Sequence, residues 1–275
     1  MQTIYRDKNE TMLTILILES NSPDIIDRAR SDQRATAADY YEAALKANKP
    51  DVCVRVAEPY RNAFSQKDLE GVDGVVFTGA GVAWSTDAPE AADLRTAGEM
   101  VFQAGLPTIG SCNGLQLAAT LLGGAVGASP NGMEIGLALD IKLTPEGYKH
   151  AMMAGRRDGF CVPCVHRDEV QRLPDGATLI AGNEHSPVQA MIYHANGVNF
   201  WGMQYHPELP PPAIADYVKD ARGIFGLAKN LAEDLLVAET DPAAATRLGS
   251  TPEDLRESVR TTELVNWLNY CSGAR

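Results

Sequence analysis

No stretch of this chain approaches the roughly 20 uninterrupted apolar residues that a bilayer span requires. The longest apolar run near the start, Met12 to Leu18, is broken by Thr14 and ends at Glu19. It has neither a basic flank nor a small-residue cleavage site, so it reads as a buried strand and not as a targeting segment. Basic clusters are also missing: 24 Lys and Arg against 36 Asp and Glu leave a net charge of −12. That balance argues against nucleic acid or an anionic membrane as partner and points to a small-molecule ligand. There is no Gly-x-x-x-x-Gly-Lys loop for a nucleotide phosphate, no internal repeat and no low-complexity tract. The five cysteines are an odd number without a secretory signal, which fits no disulfide framework. They imply a reducing cytoplasmic setting in which one thiol is available for catalysis.

What is present is an ordinary globular composition, 45% hydrophobic and 22% charged over 275 residues. A domain of this size buries about 70–75% of its unfolded surface and needs no covalent staples. Strand-like and helix-like runs alternate through the first half, the pattern of βαβ units feeding a parallel sheet. Met12 to Leu18, Val52 to Val56, Val72 to Phe77 and Pro107 to Gly110 read as strands. Ala35 to Ala47, Pro89 to Ala104 and Gly114 to Leu122 read as helices. Beyond Gly132 the runs are strand-length (Ile135 to Leu143, Cys161 to Val165, Thr178 to Ala181, Val188 to Tyr193, Phe200 to Tyr205), which predicts a mixed sheet. Pro210 to Pro212 end that region, and Ile214 to Leu236 reads as one long amphipathic helix. Asp241-Pro242 and Thr251-Pro252 each pair an N-cap acceptor with a first-turn proline, predicting two further helices. The expected organisation is an extension over 1–11, an α/β domain over 12–210 and a helical extension over 211–275.

The chemically informative stretch is Gly110-Ser-Cys-Asn-Gly-Leu-Gln116, where a short apolar strand meets a helix. A nucleophile on a sharp strand-to-helix turn sits in a strained backbone conformation, and flanking glycines let the chain fold back. The turn also aims the N-terminus of the helix at Cys112, which favours the thiolate and offers the Asn113 N–H to a developing oxyanion. A base is supplied by Tyr205-His-Pro-Glu208: His206 takes the thiol proton and Glu208 holds the imidazole tautomer, with Pro207 stiffening the link.

These two motifs resemble the Gly-x-Cys-x-Gly-x-Gln elbow and the His-x-Glu of class I glutamine amidotransferases, in the same order along the chain. The resemblance extends through Gly74-Val-Val-Phe-Thr-Gly-Ala-Gly81, where that family places a glycine-rich oxyanion loop. It continues through Val165 to Val170, Leu173 to Ala181 and Pro187 to Ala190, which resemble a glutamine-lining segment of GMP-synthetase-type members. It implies a flavodoxin-like α/β fold with a central, mostly parallel sheet flanked by helices and followed by a C-terminal helical extension. It also implies Cys112 as nucleophile, His206 as base and Glu208 as its orienter. Asn113 and Ala80 would donate to the oxyanion, with Gly79 as the alternative to Ala80 because the loop reads Gly79-Ala80-Gly81. Gln116 would contact substrate, His166 would line the pocket, and groups near Arg167 and Asp168 would hold the amino-acid end. No metal or organic cofactor is needed.

Other readings of the same residues stay in view. Cys161-Val-Pro-Cys164 has the spacing of a zinc or dithiol pair, but no second ligand pair accompanies it. Cys53 reads as core and Cys271 as an inert tail thiol. Leu255, Val259, Leu264, Val265, Trp267 and Leu268 fall at near-helical spacing and are expected to pack back on the same domain; a homodimer or synthetase contact is the alternative. Three functions are carried forward. The first is a glutaminase delivering ammonia to a separate synthetase subunit. The second is a free γ-glutamyl hydrolase or peptidase. The third is a catalytically idle protein that binds or regulates a partner.

Overall fold

The computed structural model describes residues 12–225 and 229–273, so the expected extension over 1–11 lies outside the described residues. The strands are β1 (Thr14–Leu18), β2 (Cys53–Ala57), β3 (Gly74–Phe77), β4 (Thr108–Ser111), β5 (Ala125–Ala128), β6 (Glu134–Leu143), β7 (Phe160–His166), β8 (Asp168–Arg172), β9 (Ala177–Gly182), β10 (Ala190–Ala195) and β11 (Val198–Met203). The helices are α1 (Pro23–Ser31), α2 (Ala37–Asn48), α3 (Ala92–Gln103), α4 (Asn113–Leu121), α5 (Pro211–Phe225), α6 (Lys229–Val237), α7 (Pro242–Arg247), α8 (Pro252–Leu255), α9 (Glu257–Arg260) and α10 (Thr262–Gly273). Among the described residues no helix is long and apolar enough to cross a membrane.

A nine-stranded sheet in the order β2-β1-β3-β4-β11-β10-β9-β6-β7 forms the centre. From β2 to β11 neighbouring strands run parallel; from β11 to β7 they pair antiparallel. The central parallel strands β1, β3 and β4 are almost wholly buried, and the antiparallel strands β10 and β11 are joined by a two-residue hairpin turn. One face packs with Tyr41 and Leu45 of α2 and Leu264, Trp267 and Cys271 of α10. The other packs with Val101 and Phe102 of α3 and Leu115 and Leu117 of α4. A third cluster joins Leu137 and Cys161 to Ile214, Leu235 and Leu255 from the C-terminal helices.

The tail therefore packs back on this chain, as expected: Trp267 is fully buried, and Gly74 makes room for it because a Cβ there would stand 2.9 Å from its ring. Cys271 is a core residue, not a loose tail thiol. The Asp241 and Thr251 side chains cap α7 and α8 as their sequence pattern predicts. The single helix expected over Ile214 to Leu236 is instead the two helices α5 and α6 packed against each other; residues 226–228 lie outside the described residues. Helix α1 escaped the sequence reading although Ser22-Pro23 carries the same cap-and-proline signal. The two-stranded pair β5 and β8 also escaped it, since its strands are short and only partly buried.

Truncating Trp267 to Ala removes a fully enclosed indole and should cost about 3–5 kcal/mol. The urea midpoint should fall accordingly, whereas Val56→Ala at an exposed position should stay within about 0.5 kcal/mol. Equal midpoints for the two variants would contradict the core assignment of α10.

Candidate active site

Parallel pairing decides where the chemistry meets. β4 and β11 are adjacent with Gly110 opposite Gly202 and Ser111 opposite Met203, and the Cys112 N–H continues the ladder by donating to the Met203 carbonyl at 2.8 Å. Cys112 and His206 thus leave neighbouring strands at their carboxyl ends, the edge at which open α/β sheets bind ligands. β3 flanks β4 on its other side, so the Thr78 to Gly81 loop leaves from the same edge.

Cys112 caps α4 with φ 49° and ψ −108°, a left-handed excursion that costs a non-glycine residue on the order of 1–3 kcal/mol. The flanking glycines let the chain fold back on itself as expected, and neither Gly110 nor Gly114 has positive φ. They allow backbones to touch. A Cβ on Gly110 would lie 2.8 Å from the Gly114 carbonyl carbon, and one on Gly114 would lie 2.3 Å from the Phe77 oxygen. Gly79 is required by a third approach, since its Cβ would stand 2.6 Å from His206 Cε1 and 3.6 Å from the Cys112 Cβ.

His206 and Glu208 are buried and bonded, Nδ1 to Oε1 at 2.6 Å. The Ser111 hydroxyl donates to the same carboxylate oxygen at 3.2 Å. His206 Nε2 is buried with no hydrogen-bond partner among the described residues, while the Cys112 thiol donates to the Val165 carbonyl at 3.6 Å. Burial pulls the imidazole pKa down, but the Glu208 charge, the Cys112 sulfur and their hydrogen bonds outweigh it and raise His206 to about 10. The pair is therefore built to hold a proton on the imidazole ring.

Gly79, Ala80, Cys112, Asn113, Gln116 and His206 line one cavity of about 360 Å³. Among the described residues the N–H groups of Gly79 and Ala80 donate to no protein acceptor, and that of Gly81 is held at 2.8 Å by Asn21 Oδ1. Asn21 is fixed in turn by buried Glu19, whose carboxylate accepts its Nδ2 at 2.9 Å and its own N–H at 3.0 Å. Burial raises the Glu19 pKa against those hydrogen bonds. Sequence reading missed Glu19, Asn21 and Ser111; Glu19-Ser-Asn21 at the carboxyl end of β1 was the available signal.

The four residues expected to bind substrate all line the cavity, but with their polar atoms partly committed. Gln116 Nε2 donates to the Asp168 carbonyl at 2.6 Å and to Gln204 Oε1 at 3.3 Å. Arg167 clamps the Asp168 carboxylate with two bonds of 2.8 Å and reaches the Ala83 carbonyl at 2.9 Å. His166 lies between the Asp168 carbonyl, 3.2 Å from Nδ1, and Glu134, 2.8 Å from Nε2.

Glu134, His166 and His185 bring one ligand atom each within 4.8 Å of one another, a grouping able to hold a metal ion. Glu134 already accepts from His166, Asn183 and Gln189, so both of its carboxylate oxygens are hydrogen-bonded within the protein. Cys161 and Cys164 stand three apart on β7 and so face opposite sides, one against the C-terminal helices and one in the main core. They cannot chelate one ion.

Comparison with known proteins matches residues 43–217 to the family model Glutamine amidotransferase class-I. The chain is 31% identical over 228 residues to a Gamma-glutamyl-L-1-hydroxyisopropylamide hydrolase of Pseudomonas sp, covering 81% of this chain and 74% of that protein. It is 31% identical to a component of the glutamine-hydrolyzing GMP synthase of Sulfolobus acidocaldarius over 53% of this chain and 72% of that one. It spans only 20% of a glutamine-hydrolyzing GMP synthase from Wolinella succinogenes, at 36% identity over 40% of this chain. A glutamine amidotransferase structure from Thermotoga maritima superposes with a TM-score of 0.64 at 18% identity, covering 95% of this chain and 99% of that one.

The raised His206 value has a defined consequence for stability. Because the folded value lies above the ordinary 6.5, its contribution is complete below pH 6.5 and is lost as pH climbs through about 10. Urea midpoints should decline from pH 7 to 10 more steeply in the wild type than in Glu208→Gln, which lacks the carboxylate that favours the proton. Identical slopes would mean that Glu208 does not set the proton affinity of His206.

Proposed function

The chain belongs to the class-I glutamine amidotransferase family, whose members are cysteine amidohydrolases, and we propose that Cys112 opens the side-chain amide of glutamine through a γ-glutamyl thioester. The observation that carries this reading is the buried His206–Glu208 pair at 2.6 Å beside a strained Cys112 in one cavity. The Cys112 thiolate attacks the amide carbon, and the Asn113 N–H with that of Ala80 or Gly79 receives the oxyanion. His206 hands its proton to the departing nitrogen and ammonia leaves. His206 then takes a proton from water, which attacks the thioester, releases glutamate and restores the thiolate. Glu208 keeps the imidazole in the orientation both steps need. In this reading Gln116, His166, Arg167 and Asp168 shape the amino-acid end of the pocket, and the ammonia passes to a separate synthetase protein. The Sulfolobus relative, named as one component of a multi-chain GMP synthase, supports that division of labour. The five free cysteines accord with a reducing, cytoplasmic location.

A second reading keeps the chemistry and changes the leaving group. The relative matched over most of this chain is named as a hydrolase of an N-substituted γ-glutamyl amide. The cavity lining also includes the apolar side chains of Trp84, Met133, Ile135 and Leu209 and the ring of Tyr217, more apolar surface than the amide nitrogen of glutamine alone would cover. A short substituted amine would occupy it and leave with the His206 proton in place of ammonia. The apolar lining favours this over a bare glutaminase that acts without a partner.

Cys112→Ser should lower product release on the order of 10³-fold or more while the protein remains folded. Comparing glutamine with γ-glutamyl N-alkylamides on the isolated chain separates the readings. A kcat/KM at least about tenfold higher for the alkylamides supports the hydrolase, a factor that one or two buried methylenes can supply. Wild-type activity in Cys112→Ser would end both.

A further inference from the structure

The family match ends at residue 217, yet two buried side chains far beyond it grip the strand end that carries His206 and Glu208. Arg260, at the end of α9, donates from Nη1 to the Pro207 carbonyl at 2.6 Å. Glu263, in the first turn of α10, accepts the Tyr205 hydroxyl at 2.8 Å. The residues on both sides of His206 are therefore anchored by the C-terminal segment, and one of them is the proline that joins His206 to Glu208.

The anchors are themselves locked together. Arg156 clamps Glu263 through two bonds of 2.8 and 2.7 Å and donates from Nη2 to the Arg260 carbonyl at 2.8 Å. Its guanidinium stacks 4.7 Å above Phe160, whose ring meets Tyr205 edge to face. Arg156, Tyr205, Arg260 and Glu263 are all at most 8% exposed, so solvent does not soften these contacts. A buried charge pair is an expensive way to hold a helix that Trp267 and Leu264 already hold by packing. Its position, one residue to each side of the base, is what a purely adhesive role does not explain.

We propose that Arg260 and Glu263 are positioning residues for catalysis: they pin the Pro207 carbonyl and the Tyr205 hydroxyl so that His206 and Glu208 stay in register with Cys112. Helices α9 and α10 are then part of the working site, although none of their residues lines the cavity. The assignment rests on the Cys112, His206 and Glu208 reading given above.

Arg260→Met keeps the aliphatic stem and deletes the bond to Pro207. Per folded molecule, quantified by near-UV circular dichroism, kcat should fall about 10- to 100-fold with KM within about threefold, the scale expected when a reacting group is misplaced by less than about 1 Å. Arg260→Lys should recover much of that loss, because an ammonium still reaches one carbonyl. Tyr205→Phe, which removes a single hydroxyl, should lower kcat by about three- to tenfold, again with KM unchanged. Asn266→Ala deletes bonds from α10 to the Met152 and Ala154 carbonyls and should leave kcat within about twofold. Wild-type kcat in folded Arg260→Met, or an equal loss in Asn266→Ala, would overturn the proposal. If Arg260→Met does not fold, Tyr205→Phe decides it, and unchanged kcat in that variant would overturn it. Loss of activity in Cys112→Ser alongside full activity in the Arg260 and Tyr205 variants would keep the nucleophile and reject the support.

Discussion

The parallel pairing of β4 with β11 is the constraint from which the rest follows. It sets Ser111 beside Met203, lets the Cys112 N–H extend the ladder by one rung, and so delivers the sulfur and the imidazole to the same edge of the sheet. Backbone hydrogen bonds between buried strands permit no slippage without turning every side chain to the wrong face. The separation of Cys112 from His206 is thereby set by the main chain and not by mobile side chains. Gly79, Gly110, Gly114 and Gly202 are among the places where that arrangement brings main chain closer to its neighbours than a Cβ allows.

Around this rung the molecule concentrates strain and buried charge at one end of the sheet. Cys112 is held with positive φ, and His206 and Glu208 form an ion-pair-like contact at 2.6 Å. Glu208 Oε2 and the Tyr41 hydroxyl are buried without hydrogen-bond partners among the described residues. Burial, followed by the charge of Glu208, drives the Tyr41 phenol well above its ordinary range. Such features cost stability and persist because the surroundings over-determine them. Those surroundings are the two apolar layers on the sheet, the Glu19–Asn21 brace behind the glycine loop and the Arg156–Glu263 clamp behind Tyr205.

Cys112, His206 and Glu208 are tied to fixed backbone positions at the carboxyl ends of β4 and β11. Gln116, Arg167 and Asp168 instead bond largely to one another and to the neighbouring main chain, tying the β5–β8 pair to the elbow helix. Apolar side chains from Trp84 to Leu209 line the same cavity as those polar groups.

Sequence alone determined the local events. The turn at Gly110 to Gly114, the strands that read as continuous apolar runs, the capped starts of α7 and α8 and the joined His206-Pro207-Glu208 were legible because each depends on residues adjacent along the chain. It left three things undecided. Gly114 has its reason in the Phe77 carbonyl, which only the folded chain brings near. The short β5–β8 pair joins strands remote from each other in sequence. The contacts of Arg260 and Glu263 with Pro207 and Tyr205 join segments separated by most of the C-terminal region, and no periodicity records them. Short-range chemistry is written in consecutive residues; which buried charge meets which carbonyl is settled only when the sheet and its covering helices close.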